Sequence, residues 1–374
     1  MPRTEFLEAV FILIGVTIGA GILGIPYVIS KAGLFIGVIE IIVIGLAILL
    51  LNLYIGEIAL RTNGRHQLVG YAERYLGEWG RRAFTATMCF AIYGALTAYI
   101  LGVGKATEAI LGGSAIINSL IFFVLMTIFL YYGLDIIKGY ELFFGSLMLG
   151  VIFIIILLSL PSFDIGNLNL DNNPLMLFVP YGVIFFAFIG SPAIAETKEI
   201  LNKQKSSLKK AIIIGTLIPF FVYLIFTLVV IGVTGTETSE VATIALGSKV
   251  GFWSVILSNI FAVLSMTTGY LALGLALSWV FEYDYKIKKN TAFLLASAIP
   301  LAIAISGAAG FIDILNFTGA IAGGLEGILI ILILRRARKY GDRKPEYTVK
   351  NNFFLDCILI FLFILGVIWN LMVL

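Results

Sequence analysis

The chain has 374 residues, 60% of them hydrophobic and 13% charged, with a formal net charge of +3. Together with a mean hydropathy of +1.06, that balance excludes a water-soluble domain and makes the lipid bilayer the first partner. The small basic excess does not indicate nucleic acid, and Cys89 and Cys357 both fall inside apolar runs, so they define no disulfide framework.

Stretches long enough to cross about 30 Å of hydrocarbon recur along nearly the whole chain. Eleven spans are predicted, at about 6–31, 34–60, 83–111, 116–134, 139–160, 175–200, 209–234, 250–282, 291–308, 311–335 and 352–374. The connectors are short, so residues 1–374 read as one all-α integral membrane domain. Arg3 ahead of an apolar run resembles the start of a signal peptide. Glu5 and Glu8 also precede that run, however, and it continues well past Ala20, so it is read as a retained span.

The first span is interrupted at its centre by Gly19-Ala20-Gly21, followed by Ile22-Leu23-Gly24-Ile25-Pro26. A helix in lipid satisfies its own backbone, so a break at mid-depth is tolerated where the freed groups line a cavity. The half-helix restarting near Ile22 offers N–H groups and a partial positive charge, which suit a carboxylate at the amides of Gly19, Ala20 and Gly21. Isolated glycines such as Gly15, Gly37 and Gly45 are explained by close helix packing. No Gly-Lys-Ser/Thr follows the break, which argues against a phosphate loop.

In the second span Glu57 has Arg61 one turn later, and Lys105 and Glu108 can pair at the outer end of the third. Glu141 follows Lys138 in the same way. His66, the only histidine, lies in a basic connector and reads as solvated. The sixth span is broken at Gly190-Ser191-Pro192, where Pro192 fits the first turn of a restarted helix. The preceding turn, Ala187 to Ile189, is predicted to leave carbonyls free to accept from an ammonium. One anion hole beside one set of carbonyls describes a zwitterion, and an α-amino acid is the simplest. In the tenth span Glu326 lies about 20 Å along the helix from Asp313 and about 14 Å from Arg335. An acid so deep is a candidate proton carrier or else a structural hydrogen-bond partner. Glu196, after the sixth-span break, is a second candidate, with Lys198 close by.

With the N-terminus cytoplasmic, every Lys and Arg except Lys31, Lys105 and Lys249 falls on inside connectors, in Arg3, or at the span ends beside them. Such asymmetry predicts N-terminus in and C-terminus out. Spans one to five (about 6–160) and six to ten (about 175–335) start at offsets of about 167 to 175, and each set opens on a broken span. Five spans per set make the second copy inverted, with 352–374 left as an extra helix.

The run Ile18-Gly19-Ala20-Gly21-Ile22-Leu23-Gly24-Ile25-Pro26-Tyr27 resembles the first-helix signature of the amino acid/auxin permease family of the APC superfamily. Phe188-Ile189-Gly190-Ser191-Pro192 resembles its sixth-helix break, and Asn52-Leu53-Tyr54-Ile55-Gly56-Glu57 is similar to the second helix of the bacterial and archaeal aromatic amino acid permeases. The resemblance covers essentially the whole chain. It implies the LeuT-type 5+5 inverted-repeat fold and symport of an amino acid. By position, Gly19, Ala20 and Gly21 would bind the substrate carboxylate and Ala187, Phe188, Ile189, Gly190 and Ser191 the amino group, with Tyr93, Thr97 and Tyr99 as third-helix candidates. Sodium-coupled members imply a site at the carbonyls of Gly15 and Ile18 with the hydroxyls of Ser265, Thr267 and Thr268, although Ser and Thr in a helix also bond their own backbone. Some such members place Asn at the position of Gly15, and some sodium-independent members carry a fifth-helix Lys that is missing between 139 and 160 here. The coupling ion, sodium or proton, stays open, and no cofactor is implied.

Nothing resembles a repeated selectivity filter, and there is no intramembrane His cluster or nucleophile–base pair, so a channel or an enzyme is disfavoured. The expected activity is secondary active symport of a neutral amino acid at the plasma membrane, with aromatic substrates favoured by resemblance alone. The alternative is an amino acid sensor on the same fold, which the short stretch before the first span disfavours. A monomer suffices for this reading, and the oligomeric state is open.

Overall fold

The computed structural model describes residues 2–132, 141–168 and 171–373, and its regular structure is helical throughout. The connector expected at 135–138, Lys138, and the side chains of Arg3 and Glu141 lie outside what is described.

The first apolar stretch forms α1 (Pro2–Thr17) and α2 (Gly21–Ala32), bent by 51° across the three residues between them. Gly33, at φ +104°, turns the chain into α3 (Leu34–Arg61). Next comes α4 (Leu68–Leu111), divided by Gly77 at φ +73°. The connector expected at 61–82 is therefore helical from Leu68 onward. α5 (Ala115–Tyr132) and α6 (Glu141–Ser159) follow. A second broken pair is α7 (Tyr181–Phe188) and α8 (Pro192–Ile200), then α9 (Leu208–Thr234). The loop expected at 235–249 contains a helix of its own, α10 (Ala242–Val250), ahead of α11 (Phe252–Trp279) and α12 (Lys289–Ser306). The tenth apolar stretch is α13 (Phe311–Thr318) and α14 (Gly324–Tyr340) joined by a π-turn, Gly319–Gly323, and α15 (Phe353–Val373) completes the chain.

Among the described residues, eight helices are long and apolar enough to cross a membrane, and the bent α1–α2 pair makes a ninth. The short segments sit at the centre. α7 packs against α2, α13 and the π-turn, while α1 is flanked by α6, α8 and α9. The long α4 lies outside this group, against α5, α11, α12, α13 and α14. Single-turn π-insertions inside helices recur at functional sites, and this one faces the second break.

One ion pair differs from the one the sequence suggests, and another gains partners. Lys105 reaches Glu240, ahead of α10, at 2.5 Å, while Glu108 instead accepts from the Ala115 amide at 3.2 Å. Glu57 does meet Arg61, at 2.9 Å, but it also takes both prongs of the Arg338 guanidinium at 3.0 Å each and the Val349 amide at 2.8 Å. This fully buried carboxylate thus ties α3 to α14 and to the strap that leads into α15. The strap is further held by Tyr347, whose hydroxyl donates to the Leu53 carbonyl at 2.8 Å, and by an Asp342–Arg74 pair. The Asn63 amide and Arg74 beside Asp342 hold its carboxyl below the usual aspartate range. Arg338→Lys keeps the charge but loses the fork. It is expected to cost about 1–2 kcal/mol, read as a lower thermal midpoint in detergent, whereas Arg65→Lys at an exposed pair should leave the midpoint unchanged.

Candidate functional site

At the first break, regular bonding ends with Ile18 N donating to Ile14 O at 2.8 Å and resumes with Leu23 N donating to Ala20 O at 3.0 Å. Between them, the amides of Gly19, Ala20 and Gly21 make no hydrogen bond with the described residues. They stand at the N-terminal end of α2, where the helix dipole adds positive potential. At the second break Ile189 turns extended (φ −65°, ψ +105°), and Pro192 sits in the first turn of α8, where its missing N–H costs nothing.

The two breaks touch. A Cβ on Gly21 would fall 2.5 Å from the Cβ of Ala187 and nearer still to its Cα, and one on Gly190 would fall 2.5 Å from Thr17 Oγ1. Only glycine allows this approach at residue 21.

Of the carbonyls expected free at Ala187 to Ile189, that of Ala187 is capped, while those of Phe188 and Ile189 accept no hydrogen bond from the described residues. Tyr223, fully buried on α9, places its hydroxyl 2.7 Å from the Thr17 carbonyl and 2.8 Å from the Ala187 carbonyl. Its ring packs edge-on against Phe188, with centroids 5.0 Å apart, so the Phe188 side chain belongs to the core. Tyr223 is not among the site residues expected from the sequence. The available signal is a phenol inside the apolar run Pro219-Phe220-Phe221-Val222-Tyr223-Leu224-Ile225-Phe226, because a buried Tyr hydroxyl needs a partner.

Beside the second break, Ser191 Oγ donates to Glu326 Oε1 at 2.5 Å. Glu326 lies just past the π-turn and is buried. A cavity of about 20 Å³, room for roughly one water, is lined by Asn52, Phe188, Ile189, Ser191 and Glu326 among others, with no Lys, Arg or His on its wall. Asn52 donates to Thr216 Oγ1 at 3.2 Å, which fixes that wall to α9.

Of the three third-helix candidates, Tyr99 is the one at the breaks. Its hydroxyl lies 3.6 Å from where a Cβ on Gly19 would stand, and its ring packs on Gly269 of α11. Tyr93 and Thr97 are instead directed at α12. Tyr93 donates to Leu295 O at 3.3 Å, and Thr97 lies 2.7 Å from Tyr93 O and 3.4 Å from Pro300 O. Two of the three hydroxyls of the implied sodium site are bonded to their own helix. Thr267 bonds Val263 O at 2.7 Å, and Thr268 bonds Ser265 O at 3.0 Å and lines a separate apolar cavity between α6 and α11. Ser265 is buried and its Oγ has no partner among the described residues. A Cβ on Gly15 would meet open space, so close packing, which does hold for Gly37 and Gly45, does not explain that glycine, and the Ile18 side chain is core. Glu196 is exposed on α8, and Lys198 turns from it to the Gly64 carbonyl at 2.8 Å and to Glu199. Glu40, a buried acid on α3 with one unpartnered oxygen, was also not singled out from the sequence.

The family model of the tryptophan/tyrosine permease family matches residues 3–372, almost the entire chain. The chain belongs to that family. It is a multi-pass membrane transport protein and not an enzyme. It is similar to tyrosine-specific transport system 2 of Haemophilus influenzae, with 27% identity over 391 residues, covering 95% of this chain and 93% of the relative. Tyrosine-specific transport system 1 of the same organism is 26% identical, covering 92% of each chain, and glutamine transporter 2 of Aliivibrio fischeri is 24% identical, covering 85% of each. In three dimensions the chain resembles Mhp1, a nucleobase-cation-symport-1 family transporter, in a closed conformation with bromovinylhydantoin bound. The TM-score is 0.67 at 15% identity, over 98% of this chain and 90% of that one. The inward-facing conformation of Mhp1 scores 0.66. This permease therefore shares the fold of Mhp1.

Proposed function

We propose that this permease is a proton-coupled symporter of a neutral amino acid, with aromatic side chains preferred, working by alternating access around the two helix breaks. The observation that carries the reading is their meeting. The amides of Gly19, Ala20 and Gly21, without a partner among the described residues, lie against a second break whose Ser191 is bonded to a buried acid, Glu326. The substrate carboxylate docks on those amides, its amino group on the carbonyl ends of α1 and α7, and Tyr99 flanks the pair. Relatives named for tyrosine and glutamine transport support a neutral substrate.

Proton coupling is preferred because a carboxyl with no cation beside it is expensive to charge in a low-dielectric interior and cheap to protonate. The self-bonded hydroxyls of Thr267 and Thr268 argue against the sodium alternative. Taking α5 and the α7–α8 pair as crossing gives eleven spans in one domain, in a LeuT-type 5+5 arrangement of about 6–160 and 175–335 with α15 outside the repeat. This belongs with the wider amino acid/auxin permease relationship. The positive-inside rule supports a cytoplasmic placement of the basic end that holds Arg61, Arg338 and the strap, with the N-terminus in and the C-terminus out, and import of an amino acid suits the plasma membrane.

Counterflow in proteoliposomes tests the reading. Preloaded L-tyrosine or L-glutamine is expected to drive uptake of labelled substrate, while N-acetyl and methyl-ester derivatives, each lacking one end of the zwitterion, are not. Binding without counterflow is the behaviour of a sensor and would overturn transport.

A further inference from the structure

Tyr223 has one hydroxyl proton and two acceptors. The Thr17 and Ala187 carbonyls lie 2.7 and 2.8 Å from its oxygen, each in the last turn before a break. One O–H bonds one of them fully at any instant, so the pair is short of a donor in a fully buried setting. An ammonium brings three donors and satisfies both.

From this geometry we infer that Tyr223 is an internal stand-in for the substrate amino group: its hydroxyl caps the carbonyl ends of both broken helices in the unloaded chain and gives them up to the incoming ammonium. The inference rests on the amino acid reading above and adds to it a residue that sets affinity from outside the breaks. It also accounts for the capping of the Thr17 and Ala187 carbonyls at a site meant to receive an ammonium. Tyr223 lies on α9, which packs against α1, α2 and α3, so its release would be felt by the first break and by the helices around it.

The consequence runs against ordinary intuition for a buried tyrosine. Removing the hydroxyl leaves two buried carbonyls unpaired in the unloaded state only, so loading should become more favourable. Tyr223→Phe is expected to bind L-tyrosine about 3- to 10-fold more tightly, the range of one net hydrogen bond. Affinity for 3-(4-hydroxyphenyl)propionate, which lacks the amino group, should not gain. The unloaded variant should melt below wild type, and L-tyrosine should raise its midpoint by more than it raises that of wild type. Tyr181→Phe is the control, since that buried phenol has no hydrogen-bond partner among the described residues and should leave binding unchanged.

Unchanged or weaker binding of L-tyrosine by Tyr223→Phe would make the residue a permanent strut and overturn the inference. If the variant folds only with L-tyrosine present, that is the expected rescue in its strongest form. If neither Tyr223→Phe nor Tyr223→Met folds with or without L-tyrosine, the hydroxyl is required in the loaded state too, and the stand-in is wrong. Failure of wild type to bind either L-tyrosine or L-glutamine would instead count against the amino acid reading itself.

Discussion

Glu326→Gln is expected to abolish concentrative uptake driven by an inward proton gradient while leaving substrate exchange largely intact. Glutamine has nearly the same volume and still accepts from Ser191 Oγ, so the second break keeps its geometry. It carries no exchangeable charge, so the empty and loaded states no longer differ by a proton. With no proton carried, the gradient does no work on the substrate, and the steady-state inside-to-outside ratio should collapse to unity. Glu326→Asp keeps the acid but withdraws it by one methylene from Ser191, so a partial loss is expected. Full concentrative uptake by Glu326→Gln in sodium-free buffer would reduce Glu326 to a structural acceptor.

Gly21→Ala should stop transport by a different route. The added methyl would run into the backbone of Ala187, which cannot rotate away as a side-chain tip can. Overpacking of this kind costs about 1–3 kcal/mol, and here the strain falls on the contact between the two breaks. Separating them by even a few tenths of an ångström moves the amides of Gly19, Ala20 and Gly21 away from the carbonyls across from them. Uptake is expected to fall by about 10-fold or more, with each 1.4 kcal/mol of lost binding worth a factor of ten, and the thermal midpoint should drop as well. Gly15→Ala, six residues earlier on the same broken span, enters open space and should be tolerated in both assays. Equal tolerance at residues 15 and 21 would show that the breaks need not touch.

The positions of both breaks were legible because Gly19, Gly21, Gly190 and Pro192 are conspicuous inside apolar runs, where lipid leaves little room for backbone irregularity. Glu326 was legible for a related reason: an acid stands out when nothing charged lies within several turns. The partners of these groups were less accessible. Tyr223 meets Thr17 and Ala187 across 206 and 36 residues, and nothing in a local pattern links them. The same limit applies to Glu57, whose i,i+4 pair with Arg61 is local while its stronger partner Arg338 is 281 residues away. For Lys105 the local rule pointed to Glu108, but the side chain crosses to Glu240 instead. Helix α10, nine residues long, fell below the length that marks a span, so its segment read as loop. The third-helix ambiguity among Tyr93, Thr97 and Tyr99 was one of helix facing, which only the neighbours α11 and α12 decide.

The most direct measurement is uptake of labelled L-tyrosine by the wild-type chain in liposomes, in sodium-free buffer, with a pH-sensitive dye sealed inside. An inward proton gradient is expected to drive accumulation above the outside concentration, and in its absence an inward tyrosine gradient should acidify the lumen. Accumulation that requires sodium, with no change in dye signal, would contradict proton coupling through Glu326 and return the ion to the α1–α11 region. Failure to take up L-tyrosine, L-glutamine or any other neutral amino acid under either gradient, with folded protein verified, would contradict amino acid symport altogether.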